Sequence, residues 1–194
     1  MMFSLFSWYA DYVDEVTQPW AIPKPDPREA DFGKYNVCYA FSYYGQVKSL
    51  VRQWKFQGDH ALGFRLGELM GGTYNDLLRG KVVSYVPRYK ESYPYLGNHL
   101  FPFLAGLQKA GNCSVVAAYV KTRATMPQKT LSRSARVSNL QNAFVARREC
   151  VDIVVDDVMT TGATSRVLYK TAPFKVWLVL ARVELDLTLD FRKA

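Results

Sequence analysis

The sequence predicts an α/β domain with a mainly parallel sheet flanked by helices. Its clearest strand, residues 153–155, is a β-branched run of the kind that is buried on both faces of a parallel sheet. Strand-like runs alternate with segments of helical periodicity along the rest of the chain, which is the order of an α/β fold. A polar stretch containing a glycine, residues 156–164, follows this strand directly, where such sheets carry ligand loops.

The composition is that of a soluble globular domain. The 194 residues are enough for a sizeable core, and 49% of them are hydrophobic and 22% charged, so disorder is not expected. The sequence has no uninterrupted apolar run of about 18 residues, so no membrane insertion is expected. The apolar N-terminus lacks a basic lead and is followed at once by acids, unlike a signal peptide. A cytoplasmic location is therefore predicted.

The chain divides into an N-terminal proline-rich arm, residues 1–37, and a main domain, residues 38–194. Four prolines forbid a regular helix in the arm: Pro19, Pro23, Pro25 and Pro27. The aromatic residues of the arm are too apolar for a free tail, so we expect it to pack on the main domain or on a partner subunit. The cysteines are far apart and the histidines isolated, which supports neither a zinc site nor a disulfide framework: Cys38, Cys113, Cys150, His60 and His99.

Hydrophobic periodicity predicts the helices of the main domain. The first spans residues 43–57, with Lys48, Arg52 and Lys55 facing away from its apolar stripe. The second starts near His60 with Asp59 as its cap. The helix that starts near His60 is expected to break at Gly71 and Gly72 and to resume through Leu78. Two further helices are expected, one over residues 96–107 that stops near Gly111 and a short one over residues 165–170.

Apolar β-branched runs predict the strands. They are expected over residues 82–86, 115–121, 144–145, 175–181 and 183–191, in addition to the clearest one. Residues 122–143 are polar and basic with little apolar periodicity, which predicts a long functional or mobile loop.

The stretch after the clearest strand has the composition of a sugar-phosphate site. Small hydroxyl residues and a glycine precede a helical pattern, and the unpaired amides of a helix start attract a phosphate: Thr160, Thr161, Gly162, Ala163 and Thr164. Asp156 and Asp157 would repel that phosphate, so they are better suited to sugar hydroxyls or to a divalent cation such as Mg²⁺. The ligand predicted is a sugar phosphate with its diol on the acids.

Positive charge is concentrated in one segment of a chain whose net charge is +8. Residues 121–148 contain no acid and seven basic residues: Lys121, Arg123, Lys129, Arg133, Arg136, Arg147 and Arg148. Such a segment attracts polyanions, either a small pyrophosphate or a long nucleic acid. A merely solvated basic face is the alternative.

The stretch over residues 151–164 resembles the signature of type I phosphoribosyltransferases, which bind phosphoribosyl pyrophosphate (PRPP). Its pattern is a hydrophobic run, two aspartates, two loose positions, and then Thr-Thr-Gly-Ala-Thr. Together with residues 43–59 and with Arg123, Pro127, Gln128 and Asn139, it resembles the ComF/GntX branch, the competence-protein ComF family. The resemblance covers about residues 38–182 and implies the type I phosphoribosyltransferase fold with a long mobile loop.

The resemblance also implies roles for individual residues. Asp156 and Asp157 would hold the 2′ and 3′ hydroxyls of the ribose, and the 5-phosphate would lie on the loop formed by Val158, Met159, Thr160, Thr161, Gly162, Ala163 and Thr164. The implied cofactor is Mg²⁺, carried by PRPP, with Asp156 and Asp157 as its candidate protein ligands. The implied pyrophosphate residues of the mobile loop are Arg123, Lys129, Arg133 and Arg136. The implied catalytic residues are Asp156, Asp157, Lys129 and Arg133.

The implied activity is that of a phosphoribosyltransferase, a glycosyltransferase that displaces pyrophosphate at ribose C1 in favour of an unknown acceptor. The chain departs from the ComF family in lacking its four-cysteine zinc ribbon and the arginine expected near residues 96–99. The alternative function is non-catalytic: a factor in natural competence that binds single-stranded DNA or proteins of DNA uptake. The basic segment and Tyr89, Tyr93 and Tyr95, on which bases could stack, favour it. The resemblance is also compatible with a homodimer.

Overall fold

The computed structural model describes residues 20–89, 98–126, 133–148 and 151–184. These residues form a large sheet, a small sheet and six helices. In chain order the elements are β1 (Arg28–Asp31), β2 (Asn36–Ser42), α1 (Gly45–Gln57), α2 (His60–Thr73), α3 (Asn75–Leu78), β3 (Val82–Tyr85), α4 (Leu100–Gly111), β4 (Ser114–Val115), β5 (Tyr119–Lys121), α5 (Arg133–Leu140), β6 (Phe144–Ala146), β7 (Ile153–Met159), α6 (Ala163–Thr171) and β8 (Val176–Arg182).

The large sheet has six strands in the order β1-β2-β8-β7-β3-β4. The five strands β2, β8, β7, β3 and β4 all run parallel to one another. Strand β1 pairs antiparallel with β2 at one edge of the sheet. Strands β5 and β6 form a separate antiparallel pair. The prediction of an α/β fold with a mainly parallel sheet flanked by helices is confirmed. Strand β7, which carries the acid pair, lies inside the sheet between β8 and β3.

The core has one layer on each face of the large sheet. Ile153 and Val155 of β7 pack into the layer formed with α1, α2 and α4, whereas Val154 packs into the layer formed with α6 and the small sheet. This alternation confirms that residues 153–155 are buried on both faces, because successive side chains of a strand point to opposite sides. Within the described ranges, no helix is long and apolar enough to cross a membrane.

Helices α2 and α4 approach each other through glycines. A Cβ added to Gly67 would lie 2.0 Å from the carbonyl oxygen of Phe103, and one added to Gly106 would lie 2.1 Å from that of Phe64. The predicted break at Gly71 and Gly72 is wrong, because α2 continues to Thr73. At Gly71 an added Cβ would lie 2.8 Å from the Cβ of Ala110, so the glycine serves close helix packing.

Several other predicted boundaries also change. The segment over residues 115–121 is divided between β4 and β5, which belong to different sheets. The long loop predicted over residues 122–143 contains α5. This helix is mostly polar, so its sequence shows little apolar periodicity. Leu140, which is 3% exposed, anchors it in the core. Strand β8 ends at Arg182, so residues 183–184 do not begin a further strand, and the rest of that prediction lies outside the described residues.

The described part of the N-terminal arm packs against the main domain. Strand β1 pairs with β2, the amide of Asp26 donates to the carbonyl oxygen of Ala40, and the indole of Trp20 donates to Asp59 over 3.2 Å. The expected division between residues 37 and 38 falls inside β2. Residues 1–19 lie outside the described residues.

Candidate functional site

The acid pair lies within β7 rather than after it. Asp156 is opposite Val179 of β8 in the parallel register, and the strand continues to Met159. Adjacent residues of a strand face opposite sides of the sheet, so the two carboxylates meet different surroundings. Asp156 is half-buried, whereas Asp157 is only 4% exposed. The two acids therefore differ in exposure and in surroundings.

Asp156 and the turn that follows β7 line one open pocket, which we call the loop pocket. It encloses about 320 Å³ of space, including its mouth, at the carboxyl end of the parallel strands. Its lining residues are Asp156, Val158, Met159, Thr160, Thr161, Gly162, Ala163, Thr164, Ser165 and Trp177. The pocket thus unites Asp156 with the whole predicted phosphate loop, and Asp157 is not in its lining.

Gly162 gives the loop its shape. It precedes α6 with φ +71°, a left-handed conformation that suits glycine, and an added Cβ would lie 2.7 Å from the terminal methyl of Met159. No side chain caps the start of α6 at this residue. The Ser165 hydroxyl instead donates to the Gly162 carbonyl oxygen over 3.0 Å and lies 2.7 Å from the Tyr35 hydroxyl. The first residues of α6 thus line the pocket without a side-chain cap, and the amides of a helix start are groups to which an anion can bind.

Asp157 is held on the opposite side of β7 by two basic side chains. The ammonium of Lys55, from α1, pairs with Oδ2 of Asp157. The same oxygen lies 2.7 Å from Nε2 of His99, which immediately precedes α4. The other oxygen accepts the amide of Val158 over 2.6 Å. Asp157 thus ties α1 and the start of α4 to the central strand.

This arrangement shifts the pKa values of the two acids in opposite directions. Burial alone would raise the pKa of Asp157, but the hydrogen bond with His99 and the charge of Lys55 outweigh it and hold that pKa well below its usual range. Burial and the nearby charge of Asp157 raise the pKa of Asp156 above its usual range. Asp157 is therefore the permanently ionised member of the pair.

His99 is neutral in this setting. Burial lowers its pKa despite the adjacent carboxylate, so the neutral ring donates a hydrogen bond from its Nε2–H to Oδ2 of Asp157. Its ring packs edge-on against Trp54 at a centroid distance of 5.2 Å, and its backbone oxygen accepts the Trp54 indole proton. The Nδ1 atom is buried and has no hydrogen-bond partner among the described residues.

A second pocket adjoins Lys55 and His99, and we call it the basic pocket. Its volume, including the open mouth, is about 540 Å³. Its lining residues are Trp54, Lys55, Phe56, Gly58, His60, Arg88, Asn98, His99 and Pro102. Among the described residues, every ionisable side chain in this lining is basic. Such a pocket suits an anionic group.

The described cations nearest the acid pair are not those that the sequence predicted. Arg123 donates to the backbone oxygens of Asn139 and Gln141, over 2.9 and 2.7 Å, and so holds the end of α5. Arg133 and Arg136 lie on α5, and Lys129 lies outside the described residues. The structure brings Asp156 together with the loop, and it brings neither Arg123 nor a described part of the basic segment to Asp157.

Sequence reasoning missed Lys55 and His99. Lys55 was expected to face away from the stripe of α1, but it follows buried Val51 by four residues and lies at the edge of that stripe. A buried carboxylate requires a partner, so a basic residue at such an edge was the available signal. For His99 the sequence offered no comparable signal, because its position depends on where α4 begins.

The fit of Mg²⁺ to these residues is partial. No group of three or more His, Cys, Asp or Glu side chains within the described residues could hold a metal ion. Mg²⁺ usually binds through one or two carboxylates together with ligand phosphates and water. Asp156 fits that role because it lines the loop pocket, whereas Oδ2 of Asp157 is already occupied by Lys55 and His99.

Comparison with known proteins gives similarity to solved structures alone. No family model and no curated protein matches the chain. The glutamine phosphoribosylpyrophosphate (PRPP) amidotransferase from B. subtilis, complexed with ADP and GMP, is 15% identical with a TM-score of 0.41 over 66% of this chain and 30% of that chain. The allosteric regulatory enzyme of purine biosynthesis is 17% identical with a TM-score of 0.40 over the same shares. The chain thus spans less than a third of either protein's length.

Proposed function

We propose that the chain binds PRPP in the loop pocket and acts as a phosphoribosyltransferase with an acceptor still to be identified. The observation that supports this most is the shared lining of one pocket by Asp156 and by the loop at the start of α6. A helix start attracts a phosphate, and a carboxylate accepts hydrogen bonds from sugar hydroxyls. A ribose 5-phosphate moiety satisfies both ends at once.

In this proposal the residues of the pocket bind and orient the sugar. The amides and hydroxyls of residues 160–164 hold the 5-phosphate, and Asp156 accepts from a ribose hydroxyl. Asp157, paired with Lys55 and His99, fixes the strand that carries Asp156. The bond from C1 to the pyrophosphate oxygen breaks, and the acceptor's electron pair forms the new bond. Mg²⁺, when bound with PRPP, supplies charge that neutralises the leaving pyrophosphate.

The proposal is tested by calorimetric titration of PRPP into the wild type and Asp156→Asn, with and without Mg²⁺. We expect Mg²⁺-assisted binding by the wild type and a loss of about tenfold or more in the variant, because the charge of Mg²⁺ favours the ionised form of Asp156 and a hydrogen bond to a charged group is worth about 1.5–3 kcal/mol. The control is Asp76→Asn, which removes an exposed acid from α3. Absence of binding by the wild type would contradict the proposal.

A second candidate is the binding of single-stranded DNA, which would fit the competence role implied by the ComF resemblance. It is favoured by a row at four-residue spacing that starts at the residue before α1 and continues along it: Tyr44, Lys48, Arg52 and Phe56. The aromatic residues at its ends are 74% and 59% exposed, and the cations between them lie about 6 Å apart along the helix axis. Bases can stack on such rings while phosphates meet the cations. Salt-dependent DNA binding that falls in Phe56→Ala and persists in Asp156→Asn would support this candidate.

A further inference from the structure

The floor of the loop pocket contains a buried indole whose N–H has no protein partner. Trp177 of β8 lines the pocket and is 1% exposed. It is opposite Val154 in the parallel register, so it lies deeper along the sheet than Asp156. Its Nε1 atom is buried and makes no hydrogen bond to any described residue. Buried donors without a partner are rare and cost about 1–3 kcal/mol, so this one indicates a partner that enters the pocket.

The other indoles that the structure describes are paired. Trp54, which is also 1% exposed, donates to the backbone oxygen of His99 over 2.8 Å, and Trp20 donates to Asp59 over 3.2 Å. The ring of Trp177 is itself well packed, at a centroid distance of 5.6 Å from Phe174 and in the same core layer as α6. Packing therefore fixes the ring, while its N–H is left for the pocket.

Ser165 places a hydrogen-bond acceptor in the lining of the same pocket. It is 0% exposed, and its hydroxyl donates to the Gly162 carbonyl oxygen over 3.0 Å. Because that bond uses the only proton of Ser165, the Tyr35 hydroxyl at 2.7 Å must be the donor to Ser165. A hydroxyl oxygen has two lone pairs, of which Tyr35 occupies one. The pocket lining therefore offers one donor on Trp177 and one acceptor on Ser165.

One water molecule satisfies both groups and leaves a proton for an anion. An indole N–H only donates, so the water accepts from Trp177 and keeps both of its own protons for acceptors. One proton goes to Ser165 Oγ and the other to a phosphate oxygen at the start of α6, which gives three hydrogen bonds, the typical number for a buried water. The pocket, about 320 Å³ with its mouth, has room for a phosphate and for a water of about 30 Å³.

We propose that Trp177 is a positioning residue for the ligand phosphate: its indole N–H holds one buried water, and this water binds the phosphate together with the first amides of α6. The inference rests on the proposed function and adds to it a water-mediated contact from the central sheet. Helix α6 has nine residues and no side-chain cap at its start, so its amides are available to the same phosphate. A bridging water is nearly as favourable as a direct hydrogen bond, so Trp177 contributes to affinity.

The experiment combines calorimetry with NMR and uses ribose 5-phosphate as the probe. Calorimetry compares the wild type with Trp177→Phe, which removes the N–H and keeps an aromatic ring. The control is Trp20→Phe, which removes an indole of the N-terminal arm whose N–H is paired outside the loop pocket. NMR follows the indole N–H signals of the labelled wild type during titration with ribose 5-phosphate and with ribose.

We expect Trp177→Phe to weaken ribose 5-phosphate binding by about three- to tenfold, the value of one hydrogen bond to a charged group through water. The affinity of Trp20→Phe should stay within about twofold of the wild type. The Trp177 indole signal should move downfield with ribose 5-phosphate, because the phosphate polarises the water and strengthens its bond to the N–H. The same concentration of ribose should leave the signal in place.

The Trp177 signal is assigned as the one that Trp177→Phe lacks. If this variant fails to fold, single Trp→Phe substitutions at positions 8, 20 and 54 assign the signal by elimination, and its response in the wild type decides the inference.

The two proposals fail in different ways. Wild-type protein that binds neither ribose 5-phosphate nor PRPP overturns the proposed function and this inference with it. Wild-type binding of ribose 5-phosphate without movement of the Trp177 signal overturns the inference alone, even if Trp177→Phe binds less tightly, since the ring would then act only through the shape of the pocket. Affinity within about twofold of the wild type in folded Trp177→Phe also overturns it.

Discussion

Asparagine substitutions at the two adjacent acids should change stability in opposite directions. Asp157 is 4% exposed and holds Lys55 and His99, so Asp157→Asn removes one partner of a buried pair. Such losses cost about 3–5 kcal/mol, and the partial exposure of Lys55 favours the lower end, about 3 kcal/mol. For a chain of this size, about 3 kcal/mol corresponds to a fall of roughly 6–12 °C in melting temperature.

Asp156→Asn should instead stabilise the fold. Burial and the charge of Asp157 raise the pKa of Asp156, so a carboxylate that is ionised in the unfolded chain at neutral pH is disfavoured in the fold, which opposes folding. Removing that charge should add about 0.5–2 kcal/mol, the usual size of a favourable charge substitution. The same substitution removes a ligand contact in the loop pocket. The variant should therefore be more stable than the wild type and bind the ligand less tightly.

The pH dependence separates these causes. The contribution of Asp157, whose pKa in the fold is lowered, is complete above its ordinary pKa of about 3.9 and is lost as pH falls through the folded value. The cost of Asp156, whose folded pKa is raised, is complete above that raised value and vanishes below about pH 4. The advantage of Asp156→Asn should therefore shrink between neutral pH and pH 4.

Urea unfolding of the wild type and both variants from pH 4 to pH 8 measures these differences. Since a two-state transition is required, the slopes should agree among the three proteins. A stabilising Asp157→Asn or a destabilising Asp156→Asn at pH 7 would refute the division of the pair into a fixed and a protonatable acid.

Three further substitutions test other parts of the structure. Gly162→Ala forces a left-handed residue and a 2.7 Å contact with Met159, so it should cost about 1–2 kcal/mol in urea unfolding and weaken ribose 5-phosphate binding; unchanged affinity would contradict the loop assignment. Gly106→Ala brings a Cβ to 2.1 Å from the Phe64 oxygen and should lower stability by about 1–3 kcal/mol, and a neutral result would disprove the close crossing of α2 and α4. Arg123→Met should lower the free energy of unfolding by about 1 kcal/mol and leave the PRPP affinity measured by calorimetry unchanged. A large loss of affinity would show that Arg123 contacts the ligand.

The fold class and the loop pocket followed from the sequence because both depend on local pattern. The β-branched run before Asp156 required burial on two faces, and the hydroxyl residues around Gly162 required a helix start. The cap of α2 at Asp59 was equally local, and its side chain accepts the amide of Leu62 over 2.9 Å. Each of these features is decided by residues within a few positions of one another.

The features that the sequence did not reveal depend on contacts between distant segments. The prediction of a break at Gly71 failed because the glycine serves the close approach of α4, about forty residues away, which cannot be inferred from the sequence of α2. Helix α5 has almost no apolar stripe and is fixed through Leu140 and the guanidinium of Arg123. Lys55 meets Asp157 across 102 positions, so charge pattern alone left its direction open.

The most direct test of the central claim is a crystal structure of the protein with PRPP and Mg²⁺. The account predicts the 5-phosphate on the amides of residues 160–164 and the ribose hydroxyls within hydrogen-bond distance of Asp156. A phosphate bound away from the start of α6, with Asp156 free of the sugar, would contradict it.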